Sequence, residues 1–301
     1  MSSSENMWEA ARSGNISRLA ILVASRADID VGDGSNITPL HYAALNGHNG
    51  AMELLIEAKA NENSRSRFGS TPLHFAVSGG HAAAAQVLIG AHASVNVDDV
   101  SGLSPLYYAV ALGNNAIVQI LVDSNAATDV QDRSGQTPLH IAAAKGHTNV
   151  AQILLNANAS ANLRDDVEKT PLHLAALNGH SAAAKILLDA RATVDAVDIS
   201  GLTPLHVAAS NGDNVVVQVL IDAKATVNVK NRYHLTPVHL AASRGHCAVL
   251  QRLIDAKAVV DGEDLSRSTP LHLAAYKGHN TAIEILISAI AAIDGHVPTK
   301  D

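Results

Sequence analysis

The sequence is poor in cysteine, aromatic residues and positive charge. Cys247 is the one cysteine among 301 residues, and the aromatic side chains are two Phe, five Tyr and one Trp. A single cysteine excludes an internal disulfide framework and a thiolate zinc site. Lysine and arginine number 21 against 28 acidic residues, which gives a formal net charge of −7. Because phosphate binding needs a concentrated basic surface, we expect no nucleic-acid partner.

Long apolar runs are also missing. Residues 1–10 show neither the basic nor the apolar region of a secretory signal. The most apolar stretch, residues 285–293, is shorter than the roughly 20 residues that span a bilayer. We therefore expect an intracellular, cytoplasmic protein that does not enter a membrane.

A strict repeat dominates the rest of the sequence. The tetrapeptide Thr38-Pro39-Leu40-His41 returns every 33 residues, with small variations and without an insertion or deletion. The later copies begin at Thr71, Ser104, Thr137, Thr170, Thr203, Thr236 and Thr269. A fixed period of this size indicates a solenoid, which offers a long surface rather than one deep core.

Each period predicts two helices and a connecting loop. In the copy at Thr137, the threonine is a good N-cap and Pro138 suits the first helical position. Gly146 is placed to end this helix in the left-handed conformation. A second helical pattern follows in residues 147–155. The polar residues 159–169 then predict a hairpin that projects from the helix pair.

These motifs resemble the ankyrin repeat family. Residues 172–176 read Leu-His-Leu-Ala-Ala and are followed by the pair Gly179-His180, and the same pattern recurs in residues 271–279. The resemblance covers nearly the whole chain. It implies an all-α ankyrin-repeat solenoid of helix-turn-helix units with projecting β-hairpin fingers.

The repeats predict one continuous domain over residues 1–301. Residues 1–33 lack the Thr-Pro signature but keep other repeat residues in phase, so we interpret them as a degenerate N-terminal capping repeat. Residues 34–301 then form eight further repeats. The last of these is rich in isoleucine and lacks the polar outer face of a capping repeat. We therefore expect either that the natural chain continues beyond Asp301 or that this end self-associates.

Two rows of residues depart from the glycine pattern of the family. After the second helix, where the resemblance implies a positive φ, the residues are Arg26, Lys59, His92, Asn125, Asn158, Arg191, Lys224, Lys257 and Ile290. This row predicts either ordinary helix termination by residues other than glycine or a basic stripe that binds a polyanion. At the fingertips, glycine is replaced by Asn36, Glu168, His234 and Arg267, and we expect altered tips there.

The histidines invite a metal hypothesis that their positions do not favour. Thirteen of the 16 occupy two repeating rows, one closing the tetrapeptide and one in the Gly-His pair. The resemblance implies structural imidazoles that bond to backbone groups between repeats. The sequence has no His-Glu-x-x-His pattern, no Gly-x-Ser-x-Gly elbow and no Gly-Lys phosphate loop. We expect no catalytic residue, no metal site and no cofactor.

With catalysis and metal binding not expected, binding to another protein is the function that the sequence favours. The resemblance implies a concave binding face made of fingertips and first helices, and the fingertip residues vary between copies. Arginine and aromatic side chains concentrate binding energy in interfaces. The candidate binding residues are Arg65, Arg67, Phe68, Lys230, Arg232, Tyr233, Arg244, Tyr276 and Lys277. The plainer alternative is that solvated fingers carry such residues without binding anything.

The sequence therefore predicts a non-enzymatic protein-binding scaffold or adaptor, whose partner has an acidic or extended surface. One alternative is the ankyrin segment of a larger multidomain protein, such as an enzyme, toxin or channel. Another is a microbial effector that binds host proteins. An engineered consensus scaffold is a further alternative, against which the irregular fingertips argue.

Overall fold

The computed structural model describes residues 3–294, and within them the chain forms an all-α repeat solenoid of paired helices. The first helices of the pairs are α1 Ser3–Arg12, α3 Pro39–Leu45, α5 Pro72–Ser78, α7 Pro105–Leu112, α9 Pro138–Lys145, α11 Pro171–Leu177, α13 Pro204–Asn211, α15 Pro237–Ser243 and α17 Pro270–Lys277. The second helices are α2 Ile16–Ala24, α4 Asn49–Glu57, α6 Ala82–Gly90, α8 Asn115–Asp123, α10 Thr148–Asn156, α12 Ser181–Asp189, α14 Asn214–Asp222, α16 Cys247–Asp255 and α18 Asn280–Asp294.

The chain divides into two compact units. Among the described residues, the first comprises residues 3–142 with 152–159, and the second comprises residues 143–151 with 160–294. In the first unit, first helices stack in the order α1, α3, α5 and α7, and second helices stack in the order α2, α4, α6 and α8. The second unit repeats this arrangement with α11, α13, α15 and α17 beside α12, α14, α16 and α18.

Each tetrapeptide begins a first helix as the sequence predicts. Proline occupies the first helical position, where its missing N–H costs no hydrogen bond. The Nδ1 atom of His41 accepts a hydrogen bond from the backbone N–H of Thr38 at 3.1 Å, which fixes the entry of the chain into α3. The same bond joins Thr71 to His74 at 3.1 Å.

The core lies between the stacked helices and is built from small and branched apolar side chains. Leu40 and Ala43 of α3 and Met52 and Leu55 of α4 are completely inaccessible to solvent, and the equivalent residues are buried in the pairs from α5 and α6 to α15 and α16. Complete burial of a leucine side chain stabilises a fold by about 1.5–3 kcal/mol. In the N-terminal pair, Met7 of α1 is likewise inaccessible.

The fingers, which are the segments between successive helix pairs, contain no strand in residues 3–294, so the predicted β-hairpins are absent there. A short polar side chain folds each finger instead. The Oδ1 atom of Asp198 accepts the N–H groups of Ser200 and Leu202 at 2.8 and 2.9 Å. Asn231 binds the amides of Tyr233 and Leu235 in the same way. These bonds close a turn of five residues at the tip of each of these two fingers.

The expectation of altered fingertips at the positions without glycine is wrong. Asn36, Glu168, His234 and Arg267 have φ values of 57°, 62°, 60° and 59°, close to the 75° of Gly201. The side chain that folds each finger imposes this left-handed conformation whatever residue stands there.

In the row after the second helices, all members from Arg26 to Lys257 have a positive φ. Ile290 does not, because α18 continues through it to Asp294. No helix among the described residues is long and apolar enough to cross a membrane.

Candidate functional site

Four histidines that close the tetrapeptide, His41, His74, His173 and His206, each join their repeat to the one after it. The Nε2 atoms of His74 and His173 lie 3.1 and 3.0 Å from the carbonyl oxygens of Leu103 and Leu202. Because a backbone N–H occupies Nδ1 of each imidazole, Nε2 carries the proton and donates it to the carbonyl. Both ring nitrogens are therefore used for structure.

The Gly-His row bonds in the opposite direction along the chain. His48 Nε2 lies 3.0 Å from the carbonyl oxygen of Arg12, and His180 Nε2 lies 3.1 Å from that of Ala144. Each acceptor lies 36 residues before its histidine. Histidines of the two rows therefore bond to the following repeat and to the preceding repeat, which is the structural role that the resemblance implies.

Two fingers present the predicted binding side chains on a backbone held from both neighbours. In the first, the Phe68 finger (residues 61–70), the N–H of Arg67 donates to the carbonyl oxygen of Ser35 at 2.7 Å. The carbonyl oxygen of Phe68 accepts the N–H of Val100 at 2.9 Å. The ring of Phe68 is nevertheless 60% exposed.

The Tyr233 finger (residues 226–235) is built in the same way, five repeats later. Arg232 donates its N–H to the carbonyl oxygen of Ser200 at 3.2 Å, and Tyr233 accepts the N–H of Leu265 at 3.2 Å. Tyr233 is 63% exposed. In both fingers, neighbouring repeats hold the backbone while the side chains of the arginine and the aromatic residue face solvent.

Arg65 and Lys230, which the sequence proposed as binding residues, bond to the following finger. Arg65 Nη2 donates to the carbonyl oxygen of Asp98 at 2.5 Å. Lys230 Nζ lies 3.4 Å from the carbonyl oxygen of Glu263. Their charges remain exposed, but a partner that engages these cations competes with bonds between fingers.

The remaining candidates lie at the ends of first helices. Arg244 is the C-cap of α15, and Tyr276 and Lys277 are the last two residues of α17. Tyr276 is 84% exposed, and Lys277 Nζ lies 5.3 Å from the centre of its ring, which is within cation–π range.

One cavity in the second unit brings two of these candidates together. Tyr233 and Arg244 line a cavity of about 380 Å³ between the fingers and the first helices α11, α13 and α15. We call it the Tyr233 cavity. Sequence reasoning missed its other walls, which include Lys169, Leu177, Asp198, Leu202, Val207 and Leu240. These residues come from three repeats, so only the stacking of the repeats reveals the cavity.

The family comparison agrees with the repeat geometry. A family model of ankyrin repeats matches the chain over residues 7–99, 80–165, 157–231 and 216–297. No curated protein matches this chain in sequence. The stitched helix pairs, the 33-residue period and this match over nearly the whole chain show that it belongs to the ankyrin repeat family.

Proposed function

We propose that this chain is a non-enzymatic protein-binding scaffold or adaptor that acts inside the cell. Its binding surface is formed by the fingers and the exposed side chains of the first helices beside them, and we call this surface the finger face. Ankyrin repeats are in general modules for protein–protein interaction. A partner with an acidic or extended surface fits the arginines of the finger face.

The observation that carries this proposal is the construction of the two fingers. Arg67 with Phe68, and Arg232 with Tyr233, are exposed side chains on backbone that the neighbouring repeats already hold. Ordering a loop on binding costs free energy, and a surface ordered in advance avoids that cost. Exposed aromatic and arginine side chains on rigid backbone are the residue types and setting in which binding energy concentrates.

Affinity capture from the native cell, followed by quantitative mass spectrometry, tests the proposal. We expect the double variants Arg67→Ala/Phe68→Ala and Arg232→Ala/Tyr233→Ala to lose proteins that the unaltered chain captures. The matched control is Ile21→Ala/Lys185→Ala, which removes an exposed apolar and an exposed charged side chain from second helices. Partners lost from the control and retained by both finger variants would refute the finger face as the binding surface.

The C-terminal repeat supports a second proposal, which is self-association. His272 and Ala275 of α17 are exposed, whereas the equivalent residues of α15, His239 and Ala242, are inaccessible beneath the next repeat. Ile287 of α18 is 52% exposed. This surface has the composition of the surfaces that receive a further repeat elsewhere in the chain, so a second copy is a suitable occupant.

A further inference from the structure

We propose that the Tyr233 cavity is an anchor site for one large apolar side chain of a partner segment that carries carboxylates on either side of it. This inference rests on the proposed function and names the chemistry of the partner at one place on the finger face.

The size and lining of the cavity suit a side chain rather than a whole domain. Its volume of about 380 Å³ lies near the lower end of the range for ligand pockets. Leu177, Leu202 and Leu240 supply apolar walls, and Leu177 is 42% exposed in the absence of a partner. An apolar side chain that enters would remove these walls and itself from water, and this burial of apolar surface favours binding.

The charges at the rim favour carboxylates beside that apolar side chain. Lys169 and Arg244 supply two cations, and Asp198 is the one carboxylate among the lining residues. The Oδ1 atom of Asp198 already accepts the amides of Ser200 and Leu202. Arg244 is exposed, and its guanidinium makes no hydrogen bond or ion pair with the residues that the structure describes. A guanidinium in this position can hold a carboxylate with two parallel hydrogen bonds.

The key residues occur together in one repeat. The fingers before and after Tyr233 carry Ser200 and Ser266 at the equivalent position. The equivalents of Arg244 in the two preceding repeats are Asn178 and Asn211. The aromatic wall and the arginine at the rim therefore distinguish this cavity from a general groove along the finger face.

Short fluorescent peptides test the inference. The probes are acidic peptides of Asp and Glu with a central Leu, Phe or Ala, and a control series in which every acidic residue is Lys. We expect the Leu or Phe peptide to bind about tenfold more tightly than the Ala peptide, because only the large side chains fill the cavity. The Lys series should not bind.

Matched variants locate the binding. Tyr233→Ala and Arg244→Gln should each weaken binding of the Leu peptide several-fold, whereas Ile21→Ala and Lys185→Gln, which change exposed side chains of second helices, should leave it unchanged. Methyl NMR of the unaltered chain should show shifts at Leu177, Leu202 and Leu240 during the titration. Circular dichroism checks that each variant is folded.

Three outcomes would overturn the anchor site: no methyl shift at up to millimolar peptide, equal affinity for the Leu and Ala peptides, or equal weakening by the control variant Ile21→Ala. None of these results decides the outcome of the affinity-capture experiment. If the finger variants still lose native partners, the proposed binding function stands although the anchor site has failed.

Discussion

The Nε2 atom of His41 lies 3.1 Å from the carbonyl oxygen of Ser70, 29 residues further along the chain. The Nδ1 atom of the same ring accepts the N–H of Thr38, so one buried imidazole both starts a helix and joins two repeats. This arrangement requires the neutral ring, because a protonated Nδ1 can no longer accept the amide hydrogen bond.

We predict that stability falls as the pH decreases from about 6.5 toward about 4. Burial lowers the pKa of His41 to about 4, and burial also lowers the pKa of His74, His173, His206 and His239 below the usual value of 6.5. Within this window the unfolded chain binds more protons than the folded chain, so acid favours unfolding. Urea unfolding at several pH values measures the slope.

A histidine variant provides the control for the pH prediction. His206→Gln removes one titrating imidazole, so its stability should depend less steeply on pH than that of the unaltered chain. A free energy of unfolding that stays constant between pH 6.5 and 4.5 would contradict the structural assignment of the histidines.

Truncations should separate the core from the fingers. Leu187→Ala removes a completely buried side chain of α12 and should cost about 2–5 kcal/mol of unfolding free energy. Tyr233→Ala and Arg67→Ala remove exposed side chains and should change stability by no more than about 0.5 kcal/mol. Denaturant midpoints give both values. Equal costs at the two kinds of site would mean that the finger residues pack against the fold and are not available for binding.

The left-handed conformation of the fingertips predicts that introducing a glycine at one tip stabilises the fold, whereas replacing a glycine at another tip destabilises it. Arg267 has a φ of 59°, and this conformation costs a residue with a Cβ roughly 1–2 kcal/mol. Glycine avoids this cost but loses more conformational freedom on folding. Arg267→Gly should therefore raise the free energy of unfolding only slightly. Gly201→Ala should destabilise it, because a Cβ there meets the amide nitrogen of Arg232 at 3.0 Å. Thermal unfolding compares the two. The interpretation fails if Gly201→Ala is neutral and Arg267→Gly is destabilising.

The C-terminal repeat predicts self-association that one charge should abolish. Ala275→Glu places a carboxylate on the exposed stacking surface of α17, where a second copy would bury it without a partner. Light scattering should show larger particles at high concentration for the unaltered chain and smaller ones for the variant. Lys185→Glu, an exposed change on α12, serves as the control for added negative charge. A monomer at every concentration would exclude self-association.

The sequence predicts the parts of this structure that depend on local chemistry. Thr-Pro starts seven of the first helices through short-range capping, Ser104-Pro105 starts α7 in the same way, and Gly146 ends α9 with a φ of 69°, so these positions could be read directly from the sequence. The left-handed conformation of Glu168 could not be predicted from its own residue type. It depends on Asp165, whose Oδ1 atom accepts hydrogen bonds from the amides of Val167 and Lys169.

The candidate site was predictable only in part. Phe68 and Tyr233 could be singled out from the sequence, because most other fingertips carry serine at the equivalent position. The bond from Arg65 to Asp98 was not, because it joins side chain and backbone 33 residues apart. The Tyr233 cavity also escaped prediction, since its walls come together only when three repeats stack.

Site-specific photo-crosslinking in the native cell tests the central claim most directly. A benzophenone amino acid replaces Phe68 or Tyr233 on the finger face, and Ile21 or Lys185 on the second helices. We predict that illumination joins a partner protein to positions 68 and 233 and leaves positions 21 and 185 without that adduct. A partner that crosslinks only at positions 21 and 185 would contradict binding through the finger face.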